Sequence, residues 1–280
     1  MCNELFTDTD IEQTCAFLSG LGYEGIELAP YTFAPQGVDR AERAAVLRVR
    51  RAAEHAGLQV VGLHWLLLGP EGVHLTAADA AVRRRTSSYL EALVECCAEL
   101  GGTVLVLGSP KQRNLPPATS RDEGMRRAAE VLEPAVRRAA GCGVRWALEP
   151  LPAQDTSFLQ SLDECLLLDA LLGGGPALGV QLDVKSLCAE TADGRDPGSV
   201  VLAHSGAAAR FVHLHANDRN LCGPGEGDTD FTALFGALRR VGYDGWVSIE
   251  AFRAPLGIEH TATAGLTHLR ATLAAAERGT

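Results

Sequence analysis

Short apolar runs alternate with longer Ala- and Leu-rich segments along the whole chain. The runs are apolar at nearly every position, which is typical of parallel strands covered on both faces. We predict strands at Asn3–Phe6, Gly25–Ala29, Gln59–Trp65, Thr103–Gly108, Arg145–Glu149, Leu178–Asp183, Phe211–His215 and Trp246–Phe252. Strand followed by helix, repeated eight times within 280 residues, predicts an α/β fold in which a single (β/α)8 TIM barrel closes on itself.

The segments between the predicted strands have helix-end signals, with carboxylates near several starts and glycine just past several ends. The predicted helices are Asp10–Leu21, Asp39–Ala56, Asp79–Leu100, Ser120–Ala140, Phe158–Leu172, Asp196–Ala209, Phe231–Val241 and Ile258–Glu277. A doubly wound sheet is the alternative, but no G-x-G-x-x-G fingerprint follows the first strand. No linker divides the chain, so residues 1–280 are predicted to form one domain.

Charge and composition exclude several classes of partner. The chain has 25 Lys and Arg against 35 Asp and Glu, and this net charge of −10 argues against a nucleic acid, whose phosphates require cations. No apolar run approaches the ~20 residues of a membrane span, and the first residues lack signal-peptide features. The eight cysteines form no C-x-x-C motif and mostly lie in apolar stretches, as buried free thiols do. We therefore expect a cytoplasmic protein with no membrane partner.

Four polar residues stand at the ends of the last four predicted strands. They are Glu149, Asp183, His215 and Glu250, and each is about one βα unit from the next. The C-terminal ends of barrel strands form the working face, where three carboxylates would repel each other and raise their own pKa values. A divalent ion removes that conflict. Three oxygen donors and one imidazole suit Mn²⁺ or Mg²⁺, with Co²⁺ or Zn²⁺ as alternatives.

Other polar residues near these strand ends have less specific signals. His64 ends the third predicted strand at the same mouth, where a substrate contact is favoured over a supporting role. His213 alternates to the other face of its strand and is predicted to pack in the core or behind the ligands. Cations that follow strands and could hold a phosphate or carboxylate are Lys111, Arg113, Arg219 and Arg253. Solvated surface positions are the default for these cations, so the sequence leaves a phosphorylated substrate open.

Read in order, these segments resemble the sugar phosphate isomerase/epimerase group of the xylose-isomerase-like (AP-endonuclease type 2) TIM-barrel superfamily. The resemblance covers almost the whole chain and includes Gly62-Leu63-His64-Trp65, Leu148-Glu149-Pro150-Leu151, His213-Leu214-His215-Ala216-Asn217-Asp218 and the segment Gly242–Glu250. It implies that Glu149, Asp183, His215 and Glu250 bind one metal ion. It also implies that Glu149 and Glu250 are the catalytic residues that move a proton, and that the protein could form a homodimer.

The function implied is that of a metal-dependent isomerase or epimerase of a keto sugar or sugar derivative, with proton transfer through an enediolate. The expected carbohydrate-binding residues are His64, Lys185, Asp155, Arg219 and Lys111. Three positions depart from the family's epimerases: Ser186 replaces a frequent histidine, Asp155 replaces a glutamate and Leu221 stands where an arginine is usual. We therefore expect a substrate pocket unlike that of a common free-ketose epimerase.

Three other functions are compatible with such a barrel. A dehydratase or lyase would begin with the same proton abstraction and then expel a β-leaving group. An AP-site endonuclease of the superfamily needs further zinc-binding histidines, and Ser109, Ser186 and Asp230 stand at those places. The net charge of −10 also disfavours a nuclease. A non-catalytic sugar-binding protein is the remaining alternative.

Overall fold

A computed structural model describes residues 1–191, 194 and 196–278. Seven parallel strands form one sheet in sequence order. They are β1 (Gly25–Leu28), β2 (Gln59–Leu63), β3 (Val104–Leu107), β4 (Arg145–Leu148), β5 (Leu178–Asp183), β6 (Phe211–Ala216) and β7 (Val247–Ile249). The seven later predicted strands are thereby confirmed, most of them shorter at their ends.

Helices cover the outer face of this sheet. They are α1 (Ile11–Leu21), α2 (Arg43–Ala56), α3 (Ala80–Leu100), α4 (Arg121–Cys142), α5 (Leu162–Leu171), α6 (Val184–Ala189), α7 (Pro197–Ala203), α8 (Phe231–Arg240) and α9 (Ile258–Arg278). The predicted helix Asp196–Ala209 is wrong in its second half, where Ser205–Arg210 form a 3₁₀ helix. The short helix α6 was not predicted. None of the described helices is long and apolar enough to cross a membrane.

The predicted first strand, Asn3–Phe6, is wrong, and the residues just before it close the barrel instead. The amide of Glu27 donates to the carbonyl of Met1 (2.9 Å), and the amide of Cys2 donates to the carbonyl of Ile249 (2.9 Å), so this extended segment joins β1 to β7. The side chain of Asn3 then accepts from the amide of Ala29 at 2.7 Å. Residues Glu4–Phe6 turn into a 3₁₀ helix, because the Asn3 bonds end the extended stretch after three residues.

Side chains alternate between the two faces of each strand, which places the apolar core and the polar residues on opposite sides. On β5, Leu178, Val180 and Leu182 pack in the main core against the helices, whereas Gln181 and Asp183 lie buried inside the barrel. The same alternation directs polar residues of β1, β6 and β7 inward. The C-terminal half of the barrel interior is therefore polar. All eight cysteines are free thiols, and Cys142 is the exposed one among them.

Candidate active site

The four predicted ligands converge at the C-terminal mouth of the barrel. One ligand atom from each of Glu149, Asp183, His215 and Glu250 lies within 4.8 Å of the other three, and all four residues are buried. The residue after β3 makes this approach possible, since a Cβ on Gly108 would overlap the carboxylate of Glu149. The inward face of four neighbouring strands thus presents three carboxylates and one imidazole to one point.

Asp183 is held by the loop that follows its own strand. Its Oδ1 accepts hydrogen bonds from the amide and the hydroxyl of Ser186, both at 2.8 Å, and so caps helix α6. Its Oδ2 accepts from Nδ2 of Asn217 at 2.8 Å. Ser186 therefore fixes the orientation of the aspartate.

His215 is oriented by a buried glutamate that sequence reasoning missed. The Nε2 atoms of His213 and His215 donate to the two oxygens of Glu27, at 2.7 and 2.9 Å. Burial alone would raise the pKa of Glu27, but the two histidines outweigh it and hold that pKa well below its usual range. Because Nε2 of His215 is bound to Glu27, Nδ1 is the ring nitrogen that faces the site, and it lies 3.2 Å from Oε2 of Glu250.

Two signals in the sequence could have identified Glu27. It is a charged residue inside the otherwise apolar run of β1, and a buried carboxylate requires a partner. His213 is its counterpart inside the apolar run of β6, and it lies behind the ligands as expected. Both side chains are fully buried.

The two glutamates of the site have pKa values displaced in opposite directions. Burial, followed by the charges of Glu250 and Asp183, raises the pKa of Glu149 to about 8. For Glu250 burial acts in the same upward direction, but His215 and His64 outweigh it and lower the pKa. The crowded carboxylates therefore repel one another without a cation, and a divalent ion would offset that repulsion.

A cavity of about 210 Å³ opens above these residues, lined by His64, Trp65, Ser109, Pro110, Glu149, Leu151, Asp155, Lys185, Leu221, Glu250 and Phe252. Its wall is polar on one side, where Nζ of Lys185 lies 3.4 Å from Oδ2 of Asp155. The rings of Trp65 and Phe252 meet edge to face at 6.2 Å, and Nζ of Lys185 lies 4.9 Å from the centre of the Phe252 ring, so the apolar part of the wall adjoins the polar part. A larger cavity of about 430 Å³ lies between α9 and the opposite end of the barrel, away from the four ligands.

A family model described as the xylose isomerase-like TIM barrel matches residues 15–272. The chain belongs to the xylose isomerase-like TIM barrel family. The predicted family and the predicted (β/α)8 barrel are therefore confirmed.

Curated relatives and solved structures that are similar to this xylose isomerase-like barrel share less than a third of its sequence in the following three cases. A ketose 3-epimerase of Arthrobacter globiformis is 29% identical over 185 residues, 65% of this chain and 61% of that protein, so the match spans about three fifths of the relative. A probable ketose 3-epimerase of Synechocystis sp. is 26% identical over 237 residues, 82% of this chain and 75% of that protein. The structure of 3-keto-D-glucoside 4-epimerase from E. coli superposes with a TM-score of 0.80 at 22% identity, over 97% of this chain and 98% of that chain, which shows the fold.

Three members of this site lie on backbone that L-residues rarely adopt. Trp65 (φ 52°), Ser109 (φ 43°) and Leu221 (φ 71°) have left-handed conformations, and all three line the cavity of this xylose isomerase-like barrel. Such strain is concentrated at functional sites, where surrounding contacts maintain it. Here the hydroxyl of Ser109 accepts from the amide of Leu67 at 3.0 Å, and the carbonyl of Leu221 accepts from the amide of Phe252 at 2.9 Å.

The sequence suggested several cations near the mouth for substrate binding, and the structure places one of them, Lys185, in the cavity wall. Lys185 lines the cavity, but Lys111 is exposed and does not line it. Arg219 forms a two-point ion pair with Asp228 at 2.6 and 2.8 Å on the exposed rim. Arg113 is buried and donates to the carbonyl of Glu149 at 2.7 Å, so it holds the end of β4 and does not face the cavity. Among the described residues, Lys185 is the one lysine or arginine of the cavity wall.

Proposed function

We propose that this protein is a divalent-metal-dependent epimerase or isomerase of a keto sugar or keto-sugar derivative. The observation that carries the proposal is the placement of two glutamates, Glu149 and Glu250, in one buried ion-binding set directly beneath a small cavity. The names of the similar ketose 3-epimerases support the same reaction class.

The donor set fits a divalent ion. Oε2 of Glu250 is buried and has no hydrogen-bond partner among residues 1–191, 194 and 196–278, and a cation would satisfy it. Three carboxylates and an imidazole are donors that Mn²⁺ or Mg²⁺ accepts, with Co²⁺ or Zn²⁺ as alternatives. When bound, the ion supplies Lewis acidity that polarises a substrate carbonyl and stabilises the negative charge that develops on its oxygen.

Glu149 and Glu250 then carry the proton transfer. The carboxylate of one removes the proton from the carbon next to the carbonyl, and the carboxylic acid of the other returns a proton. Return to the opposite face of the same carbon inverts the centre, whereas return to the adjoining carbon gives an isomer. Asp183 and His215 hold their positions through Ser186 and Glu27 and take no part in moving the proton.

The wall of the cavity favours a neutral sugar over a sugar phosphate. Lys185 is already paired with Asp155, and a phosphate needs several unpaired donors. We propose that His64, Lys185 and Asp155 bind substrate hydroxyl groups. The rings of Trp65 and Phe252 would contact the C–H face of the sugar. Lys111 and Arg219 lie outside the cavity wall and are not part of this proposal.

The test is proton exchange, followed by NMR in D₂O with Mg²⁺ or Co²⁺ and a panel of ketoses, keto-sugar derivatives and their phosphates. We expect one substrate C–H position to take up deuterium without loss of water. Glu149→Gln and Glu250→Gln should each slow the exchange at least ~10²-fold, because each removes a proton-transferring group. The matched control is Glu259→Gln, the same change on an exposed position of α9.

Other results of this experiment would contradict the proposal. An unsaturated product in stoichiometric amount would instead show a dehydratase or lyase. Saturable sugar binding without exchange would show a binding protein. Exchange that survives in both glutamine variants would exclude the two glutamates as the acid and base.

A further inference from the structure

A second group of metal-ligating side chains lies beside the four-ligand site, and two of its three members, Cys2 and Glu4, have no role in the proposed reaction. Cys2 comes from the extended segment that closes the barrel, Glu4 from the first 3₁₀ helix and His64 from the end of β2. One ligand atom from each lies within 4.8 Å of the other two. Nε2 of His64 is 3.5 Å from Oε2 of Glu4, while its Nδ1 faces the other way, 3.5 Å from Oε1 of Glu250.

Two of the three side chains lack the partners that burial requires, whereas Sγ of Cys2 lies 3.8 Å from Nε2 of His215. Both carboxylate oxygens of Glu4 and both ring nitrogens of His64 are buried without a hydrogen bond from any described residue. The two side chains are only 7% and 1% exposed. Leaving a polar group buried and unpaired is energetically costly. These atoms therefore lie where a ligand would satisfy them.

We propose that Cys2, Glu4 and His64 bind a second divalent cation, a thiophilic one such as Zn²⁺. A thiolate, an imidazole and a carboxylate are the donors that zinc uses in proteins, at about 2.0–2.3 Å from the ion. Ligand atoms at those distances around a tetrahedral ion are roughly 3–4 Å apart. The 3.5 Å between Glu4 and His64 fits this spacing, and the sulfur of Cys2 lies within 4.8 Å of both ligand atoms.

The two sites would select different ions. The set at Glu149, Asp183, His215 and Glu250 is rich in hard oxygen donors, whereas the second set contains a sulfur, which softer ions prefer. Binding would release the thiol proton of Cys2 to solvent, since a coordinating thiol is deprotonated. An ion on the Nε2 side of His64 would also fix the ring with Nδ1 towards Glu250.

The experiment loads the purified full chain with Co²⁺ and records both metal content after dialysis and the near-ultraviolet spectrum. A thiolate bound to Co²⁺ gives a strong near-ultraviolet absorption that oxygen and nitrogen ligands do not give. We expect two equivalents of Co²⁺ and this absorption in the wild-type protein. Cys2→Ser should retain one equivalent and lose the absorption, and Glu4→Gln should bind the second equivalent at least tenfold more weakly.

Two variants separate this site from the rest of the molecule. Asp183→Asn removes a ligand of the first site, so it should lose one equivalent and keep the absorption. Cys142→Ser, which changes the exposed thiol, should leave both readings unchanged. The proposal is overturned by a wild-type protein without the absorption, or by an absorption that persists in Cys2→Ser. Neither result bears on sugar turnover, so the second site can fail while the proposed function stands.

Discussion

Two buried glutamates lie near histidines inside the same barrel, and their surroundings differ. Glu27 accepts from the Nε2 atoms of His213 and His215 at 2.7 and 2.9 Å. Glu4 is 3.5 Å from its histidine, His64, and no described residue donates a hydrogen bond to its carboxylate oxygens. The consequence is opposite for the two acids, since the pKa of Glu27 is lowered by its histidines while the pKa of Glu4 is raised by burial.

The difference in pairing implies different roles for the two acids: Glu27 supports the histidines, whereas the unpaired oxygens of Glu4 are available to a ligand. A buried acid that is paired on both oxygens fixes the ring it contacts and belongs to the fold. A buried acid without partners destabilises the protein until a ligand arrives. Removal of the Glu27 carboxylate and removal of the Glu4 carboxylate should therefore change the free energy of unfolding differently.

The largest effect is expected from Glu27→Ala. The variant leaves His213 and His215 buried without their acceptor, and breaking a buried ion pair on one side costs about 3–5 kcal/mol. In contrast, Glu4→Gln removes an unpaired acid that is ionised at the cost of burial above pH 7, so it should leave the free energy of unfolding unchanged or raise it, by at most about 3 kcal/mol. Urea unfolding of both variants, with EDTA at pH 7.5, gives the two values. Equal losses would mean that Glu4 is as well paired as Glu27.

The pH dependence of stability sharpens the same contrast. The folded-state pKa of Glu4, about 7, lies above its ordinary value of 4.5, so the folded protein binds this proton more tightly than the unfolded chain does. The resulting stability is complete below about pH 4.5 and is lost as the pH rises through about 7, by at most about 3 kcal/mol. Unfolding of the metal-free protein between pH 5 and 8 measures this loss.

Glu4→Gln should flatten that pH profile in proportion to the contribution of Glu4. Glu149, whose pKa is about 8, adds a loss of the same sign at higher pH and remains in the variant. An identical slope in wild type and Glu4→Gln would show that Glu4 is ionised throughout the range.

An intermediate effect is expected on metal affinity. Glu27→Gln can no longer accept charge-assisted bonds from both histidines, so the Nδ1 lone pair of His215 is less well directed, and such changes weaken metal binding about 10–100-fold. Isothermal titration with Mn²⁺ measures the affinity. Asp169→Asn is the control, because it alters a buried acid that pairs with Arg210 away from the mouth. If Glu27→Gln binds Mn²⁺ with wild-type affinity, Glu27 supports the fold and does not tune the metal site.

The smallest effect is expected from Arg219→Ala. Its ion pair with Asp228 is exposed, and exposed pairs contribute about 0–1 kcal/mol. Because Arg219 lies outside the cavity wall, KM should stay unchanged in the NMR assay. A KM that rises tenfold would place Arg219 in contact with the substrate, as the sequence first suggested.

The sequence predicted the barrel and the four converging residues because both follow from local periodicity. Alternation fixes which side chains point inward on each strand, and a polar residue at the end of an apolar run marks the mouth. Asn3–Phe6 failed this reasoning because the Asn3 side chain, which accepts from the amide of Ala29 and donates to the hydroxyl of Thr32, ends the extended stretch. A homodimer stays a prediction.

Long-range pairings account for the rest of what sequence reasoning did not find. Glu27 meets His213 across 186 positions, a pairing that no local pattern encodes. Arg113 looked like a surface cation, yet its guanidinium is buried against backbone carbonyls of β3 and β4. Helix α6 was missed because it has only six residues and is capped by Asp183, the same side chain that faces the site.

The central claim is that Glu149, Asp183, His215 and Glu250 bind one divalent ion in common. Anomalous diffraction at the manganese edge, from crystals soaked in Mn²⁺, tests this most directly. We expect one strong peak about 2.0–2.3 Å from an oxygen of each acid and from Nδ1 of His215. A data set from Mn²⁺-soaked crystals with no peak among these four side chains would contradict the account.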